Sequence, residues 1–195
     1  MATETPKYEV LRHEGDFELR RYGVHMTANV HVDAPSATKA ADAGFNVLAD
    51  FIFGNNRSSS RIAMTAPVGA EAEADPECVS LTCMAGTDSS AGSRVSFTMP
   101  SKYTPDTLPV PNDPRVKTET VSPHVAAAIR FSGSMSEDGR ADAEAALTGW
   151  LAEQGLVAAG APVAAQYDAP WKPWFARRNE IIVPVEEVAR QVRLP

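Results

Sequence analysis

The chain has 195 residues, 44% of them hydrophobic and 22% charged, with a formal net charge of -7. That length and apolar fraction fit one globular domain, 1–195, able to bury a core. The acidic balance argues against a nucleic-acid partner, which wants clustered Lys and Arg, and no apolar run approaches the ~20 residues of a membrane span. The start "MATETPKYEV" lacks a basic segment followed by an apolar one. No secretory signal is therefore expected, and a cytoplasmic location is the default. Cys78 and Cys83 stand five apart in a strand-like run, on opposite faces, so a disulfide between them is not expected.

In chain order, "YEVLRHEGDFELRRY" reads as two short strands around Glu14-Gly15-Asp16, with Phe17 and Leu19 alternating in the second. "VHMTANVHV" places Val24, Met26, Ala28, Val30 and Val32 on one parity and His25, Thr27, Asn29 and His31 on the other, as in a half-buried strand. "SATKAADAGFNVLADFIFG" follows with helical spacing at Ala37, Ala41, Phe45, Leu48 and Ile52, with Ala40, Gly44 and Phe51 beside them. Ser36 suits its N-cap and Gly54 its stop. "RIAMTAPV", "CVSLTCM" and "RVSFTMP" read as strands, with loops at Glu71–Glu77 and "AGTDSSAGS". "SKYTPDTLPVPNDPRV" is irregular because its prolines lack ladder donors.

The second half repeats the plan. "VKTETV" and "HVAAAIRF" are strands around Ser122-Pro123. A helix follows, capped by Ser136 and Gly155, with Ala143, Ala146, Leu147, Trp150 and Leu151 as its apolar stripe. "PVAAQY" and "NEIIVPV" close the chain as strands. The order predicts an α+β fold of two pseudo-symmetric halves sharing one sheet system.

Familiar chemistry is missing. There is no G-x-S-x-G, P-loop, H-E-x-x-H or C-x-x-C. His25 and His31 share a strand face, but six residues at ~3.3 Å each are too far apart for one ion. The residues alone favour a binding protein over covalent catalysis. They also leave one oddity: "YDAPWKPWFARRNE", a loop carrying two tryptophans, a phenylalanine and three basic side chains.

Five phrases in order, "YEVLRHEGDFELRRY", "GFNVLADFIFGNN" into "RIAMTAPV", "VSFTMPSKYT", "LPVPNDPRV" and "YDAPWKPWFARRNE", resemble the SOUL, or heme-binding protein, family over about residues 7–185. The resemblance implies two βαββ-like halves forming a distorted barrel flanked by two helices. It also implies binding of a tetrapyrrole, either heme or metal-free porphyrin, in a shallow apolar groove. That groove would be lined by Phe45, Leu48 and Ala49, with the Lys172 loop near its mouth. A porphyrin is a flat apolar disc with two carboxylates on one edge. Trp171, Trp174 and Phe175 would cover its faces, and Lys172, Arg177 and Arg178 would meet the carboxylates. Pro170 and Pro173 stiffen the loop, so that it resembles a lid. The competing reading packs the tryptophans on the sheet and pairs Arg178 with Glu180.

The sequence departs from the family at two places. A histidine that some members use as axial iron ligand is replaced here by Arg21, which has no lone pair to give. His25 is the substitute metal ligand, with Met64 the weaker alternative. Basic positions of the first helix appear as Asp42 and Asp50, which would repel a carboxylate. Those acids motivate one alternative, an enzyme that releases iron from the macrocycle. A second is an effector-binding module like the gyrase-inhibitor proteins, in which an acid in an aromatic cleft meets a cationic apolar molecule.

Overall fold

The computed structural model describes residues 4–33, 37–72, 92–168 and 172–186. The described strands are β1 (Tyr8–Glu14), β2 (Phe17–Tyr22), β3 (His25–Val32), β4 (Val68–Ala72), β5 (Ser93–Thr98), β6 (Lys117–Val121), β7 (His124–Ser132), β8 (Val163–Gln166) and β9 (Arg178–Val185). The helices are α1 (Ala37–Phe53) and α2 (Glu137–Gln154). Every strand pairing is antiparallel, in one curled half-barrel sheet ordered β1-β2-β7-β9-β8-β4-β5-β3-β6.

With β1 set aside, that order reads the same backwards when each strand is exchanged for its counterpart four places along the chain. The fold is therefore the expected pair of pseudo-symmetric halves, with a detail that the sequence did not reveal. The halves exchange their first strands: β2 pairs with β7 of the second half, and β6 with β3 of the first.

Each helix covers its own half on one side of the sheet. Under α1, Leu48, Phe51 and Ile52 meet Met26, Ala28, Val30, Val95 and Phe97. Its stripe is centred on Ala40, Gly44, Leu48 and Ile52, leaving Ala41 and Phe45 on half-buried flanks. Under α2, Ala143, Leu147, Trp150 and Leu151 meet Val125, Ala127, Ile129, Ile181 and Val183. Ala146 departs from expectation and is exposed, because the stripe runs i, i+4, i+7, i+8 from Ala143. Trp150 stacks on Phe17 at 5.4 Å and donates from Nε1 to Glu14 Oε2 at 3.1 Å. The α2 caps form as expected: Ser136 Oγ accepts from the Gly139 N–H, and Gly155 takes the left-handed conformation.

Two strand expectations are corrected. "RIAMTAPV" contributes only its last residue to a ladder; Thr65 makes an isolated bridge to Glu4, and Pro67 has no N–H to donate. The second parity of β3 is not solvent-facing throughout, since Thr27 and Asn29 are buried. The sheet curls over them, and Asn29 Nδ2 donates to Thr27 Oγ1 at 3.2 Å and Glu119 Oε2 at 3.1 Å. The expected N-cap Ser36, the run "CVSLTCM" with Cys78 and Cys83, and the 73–77 loop tract lie outside the described residues.

Gly44 sets the distance between α1 and the sheet. A Cβ there would lie 2.5 Å from Val95 Cγ2 and 2.6 Å from Val95 Cβ, closer than real carbons approach. Gly44→Ala gains ~1 kcal/mol of helix propensity, but overpacking costs ~1–3 kcal/mol. The expected net result is destabilisation of up to about 2 kcal/mol, read as a lower urea midpoint; a midpoint above the parent's would show that α1 lifts freely.

Candidate functional site

The face of the sheet opposite the helices carries the polar chemistry. Arg20 and Glu180 are 2% and 0% exposed, and they meet through paired bonds: Arg20 Nη1 to Oε2 at 2.6 Å and Nη2 to Oε1 at 3.0 Å. Arg178 gives Glu180 a second guanidinium, at 2.6 Å, and Tyr167 donates its hydroxyl at 2.7 Å. Arg20 also reaches Glu18 and lies over the Tyr8 ring. Room for these large groups comes from the alanines of "HVAAAIRF" and "PVAAQY". Ala126 pairs opposite Arg20, and Ala165 opposite Glu180, each with no exposed surface.

Burial alone would raise the Glu180 carboxyl, but the bonds and charge of Arg20, with Arg178 and Tyr167, outweigh it and hold it below its ordinary value. Burial, then the charge of Glu180, pushes the Tyr167 phenol well up. No buried side-chain polar atom among the described residues lacks a partner. Arg20 and Glu180 are sealed inside this network, while Arg178, 29% exposed, and Tyr167 form its outer edge. The pairing of Arg178 with Glu180 is the one anticipated by the competing reading of the aromatic loop.

Outward from that network, the β8–β9 connection is stapled at its base. Asp168 accepts from the Arg178 backbone N–H at 2.7 Å and pairs with Lys172 at 2.8 Å. Those contacts, the Lys172 bond first, hold the Asp168 carboxyl below its ordinary value. Arg177 donates from Nε to the Lys172 carbonyl at 2.8 Å, closing the loop on itself. After Pro173 the chain makes a single 3-10 turn, Trp174–Ala176. That turn presents two aromatics outward: Trp174 is 63% and Phe175 65% exposed, edge-to-face at 5.9 Å. Trp174 therefore does not pack on the sheet.

This loop borders an open groove of about 970 Å³. Four cations, Arg130, Lys172, Arg177 and Arg178, line it against two carboxylates, Asp16 and Asp168, with Phe131, Tyr167 and Phe175 as aromatic surface. Arg130 forms no ion pair with any described residue. Of the residues expected from sequence, the groove brings together Lys172, Phe175, Arg177 and Arg178, with Trp174 adjoining in the same turn. Trp171 lies outside the described residues.

The α1 residues are elsewhere. Phe45 packs edge-on against Phe97 at 5.5 Å, and Leu48 and Ala49 are buried. None of the three lines the groove. Asp42 and Asp50 occupy the exposed side of α1, where Asp50 accepts from Asn55. Met64 is exposed, and Arg21 pairs with Glu9 at 2.9 Å. His25 lines a separate concavity of about 240 Å³. Burial lowers its pKa, aided by His124 and opposed by the Gly23 carbonyl. Among the described residues, Thr5 alone borders both concavities.

Reasoning from sequence missed Arg130, Tyr167 and the Arg20–Glu180 pair. The available signal was parity: Tyr8 and Tyr22, paired across β1 and β2, fall on the same side as Arg20, an aromatic and cationic face opposite Phe17 and Leu19. Among the described residues no three metal-ligating side chains cluster, and no helix is long and apolar enough to cross a membrane.

Among solved structures, the chain is similar to the EcmrR C-terminal domain, at 12% identity and TM-score 0.66, covering 93% of this chain and 99% of that one. It is similar to a hydrolase from Listeria innocua, at 12% identity and TM-score 0.52, covering 95% and 94%. It is also similar to SAV2435 bound to tetraphenylphosphonium, at 10% identity and TM-score 0.51, covering 90% and 97%. At such identities the likeness concerns the fold alone. No curated protein sequence matches the chain. The sequence profile of the SOUL heme-binding protein matches residues 3–184, nearly the whole length, and the chain belongs to that family.

Proposed function

We propose that this protein holds a tetrapyrrole, heme or its metal-free porphyrin, in the groove beside the aromatic loop. The observation that carries the reading is the combination at one rim: an exposed Trp174–Phe175 pair beside a groove with four cations against two acids. A volume of about 970 Å³ lies at the upper end of small-molecule sites, ~300–1,000 Å³. Exposed aromatic faces favour a flat apolar ring, and excess positive charge favours its carboxylate edge. Arg130, Arg178 and Lys172 are the groups to meet that edge. The Lys172–Asp168 pair is partly exposed, and such pairs are worth only ~0–1 kcal/mol, so the ammonium is easily redirected. Arg177 keeps the loop closed.

These residues suit the macrocycle and not its metal. His25 does not line the groove, so the hold comes from contact area and charge, and iron-free porphyrin should bind nearly as well as hemin. The known partner of one structural relative, a lipophilic cation, is a poorer match here. Glu180, the acid bonded to the Tyr167 hydroxyl, is already neutralised by two guanidiniums, and the cations lining the groove outnumber its two acids.

The test is an absorbance titration with hemin, protoporphyrin, the protoporphyrin dimethyl ester and tetraphenylphosphonium. The first two should give saturable Soret shifts with similar affinity. The diester should bind more weakly, and tetraphenylphosphonium should not compete. A hemin curve that coincides with hemin in buffer removes the proposal.

A further inference from the structure

The two halves of the fold deliver the same side chain to one place. His25 opens β3 and His124 opens β7, and the two strands run through the same burial pattern for eight residues. Because the halves exchange their first strands, the links 23–24 and 122–123 lie side by side where the sheet crosses from one half to the other. Tyr22 pairs opposite His124, and His25 opposite Val121. The rings of Tyr22, His25 and His124 form a cluster there. Tyr22 stacks on His124 at 5.3 Å, and the two imidazole centroids are 6.0 Å apart.

Both imidazoles are held in the same way. Nδ1 of His25 lies 2.9 Å from the Gly23 carbonyl oxygen, and Nδ1 of His124 lies 3.0 Å from the Ser122 carbonyl oxygen. A carbonyl only accepts, so each Nδ1 carries the proton and each neutral ring keeps its lone pair on Nε2. That is how the protein part of a histidine metal site is built: the second ring nitrogen donates to a backbone carbonyl, which fixes tautomer and orientation. An ion ~2.0–2.1 Å from each of two imidazole nitrogens spans centroids roughly 5–6.5 Å apart, from tetrahedral to linear coordination. The observed 6.0 Å falls inside that range.

We infer that His25 and His124 form a two-imidazole site for a transition-metal ion of the copper or zinc class, placed on the pseudo-twofold axis of the fold. Imidazole suits these ions, and among the divalent ones copper binds such a pair most tightly. On the His25 side, the concavity of about 240 Å³ has space for the waters that complete the coordination shell. The inference does not depend on the tetrapyrrole reading, because neither histidine lines the groove.

The experiment titrates Cu(II) alone into the full chain, in a Cys78→Ser, Cys83→Ser background so that no thiol competes. One equivalent should bind, with an electron paramagnetic resonance spectrum split by two imidazole nitrogens. His25→Ala and His124→Ala should each lower affinity by ~10–100-fold or more and leave one coupled nitrogen. His31→Ala should change nothing. Should a variant fail to fold, imidazole nitrogen resonances of the histidine-complete chain replace it: the Nε2 signals of His25 and His124 should broaden first on adding Cu(II). Broadening first at His13 or His31, unchanged affinity in both the His25→Ala and the His124→Ala variant, or no binding at micromolar copper overturns the site.

Discussion

Glu180→Gln is expected to destabilise the fold by about 3–5 kcal/mol, because it leaves two guanidiniums facing a neutral amide inside the protein. Arg20→Met should cost less, roughly the 1.5–3 kcal/mol of charge-assisted hydrogen bonds, since Glu180 would keep Arg178 and Tyr167. Urea unfolding measures both. The pH dependence supplies an independent signature. The folded carboxyl of Glu180 lies below its ordinary value, so its contribution to stability is complete above the unfolded pKa of about 4.3. It is lost as pH falls through the folded value, where the carboxylate finally takes up a proton. Wild-type stability should therefore drop on the acid side, and Glu180→Gln should flatten that drop. If the two proteins share a urea midpoint at neutral pH, the network is a surface ornament in energetic terms.

That network also marks the boundary of what the sequence disclosed. The helices were legible because a 3.6-residue period repeated over many turns outweighs any single position, and Ser136 and Gly155 announce the ends of α2. The break between β6 and β7 was legible from Ser122-Pro123, although the two strands pair with others and not with each other. "RIAMTAPV" misled because β-branched and apolar composition says nothing about where a ladder partner will be, while Pro67 withholds a donor. The ion network was hidden for a different reason. Arg20 and Glu180 are 160 residues apart, and they meet only because β2 leaves its own half to pair with β7, which in turn pairs with β9. Local pattern cannot express a strand exchange. His25 and His124 were hidden by the same exchange: each looks like an isolated histidine at the start of a strand until the halves are interleaved. The aromatic loop was visible from composition, but its orientation was not. Trp174 faces solvent from a turn anchored at its base by the contacts of Asp168 with Arg178 and of Arg177 with Lys172, pairs that local pattern does not announce.

The exposed Trp174–Phe175 pair leads to the second large effect, on ligand affinity. Replacing Trp174 and Phe175 together by Ala should weaken hemin binding by ~10–100-fold. The two rings have roughly 100 Å² each still to lose to a ligand, which at ~25 cal/mol per Å² is about 5 kcal/mol before ordering and partial coverage reduce it. Lys172→Ala should cost less, because its ammonium leaves Asp168 to serve the ligand and gains only the difference between two exposed ion pairs. Salt separates the contributions. Raising ionic strength should weaken hemin binding by the parent and by the aromatic double variant in the same proportion, and by Lys172→Ala to a smaller degree. Both rings are exposed in the free protein, so the double variant should keep the parental urea midpoint, which ties any affinity loss to the ligand and not to folding. A larger loss from Lys172→Ala than from the double variant would mean that the carboxylate edge, and not the flat face, is what this loop holds.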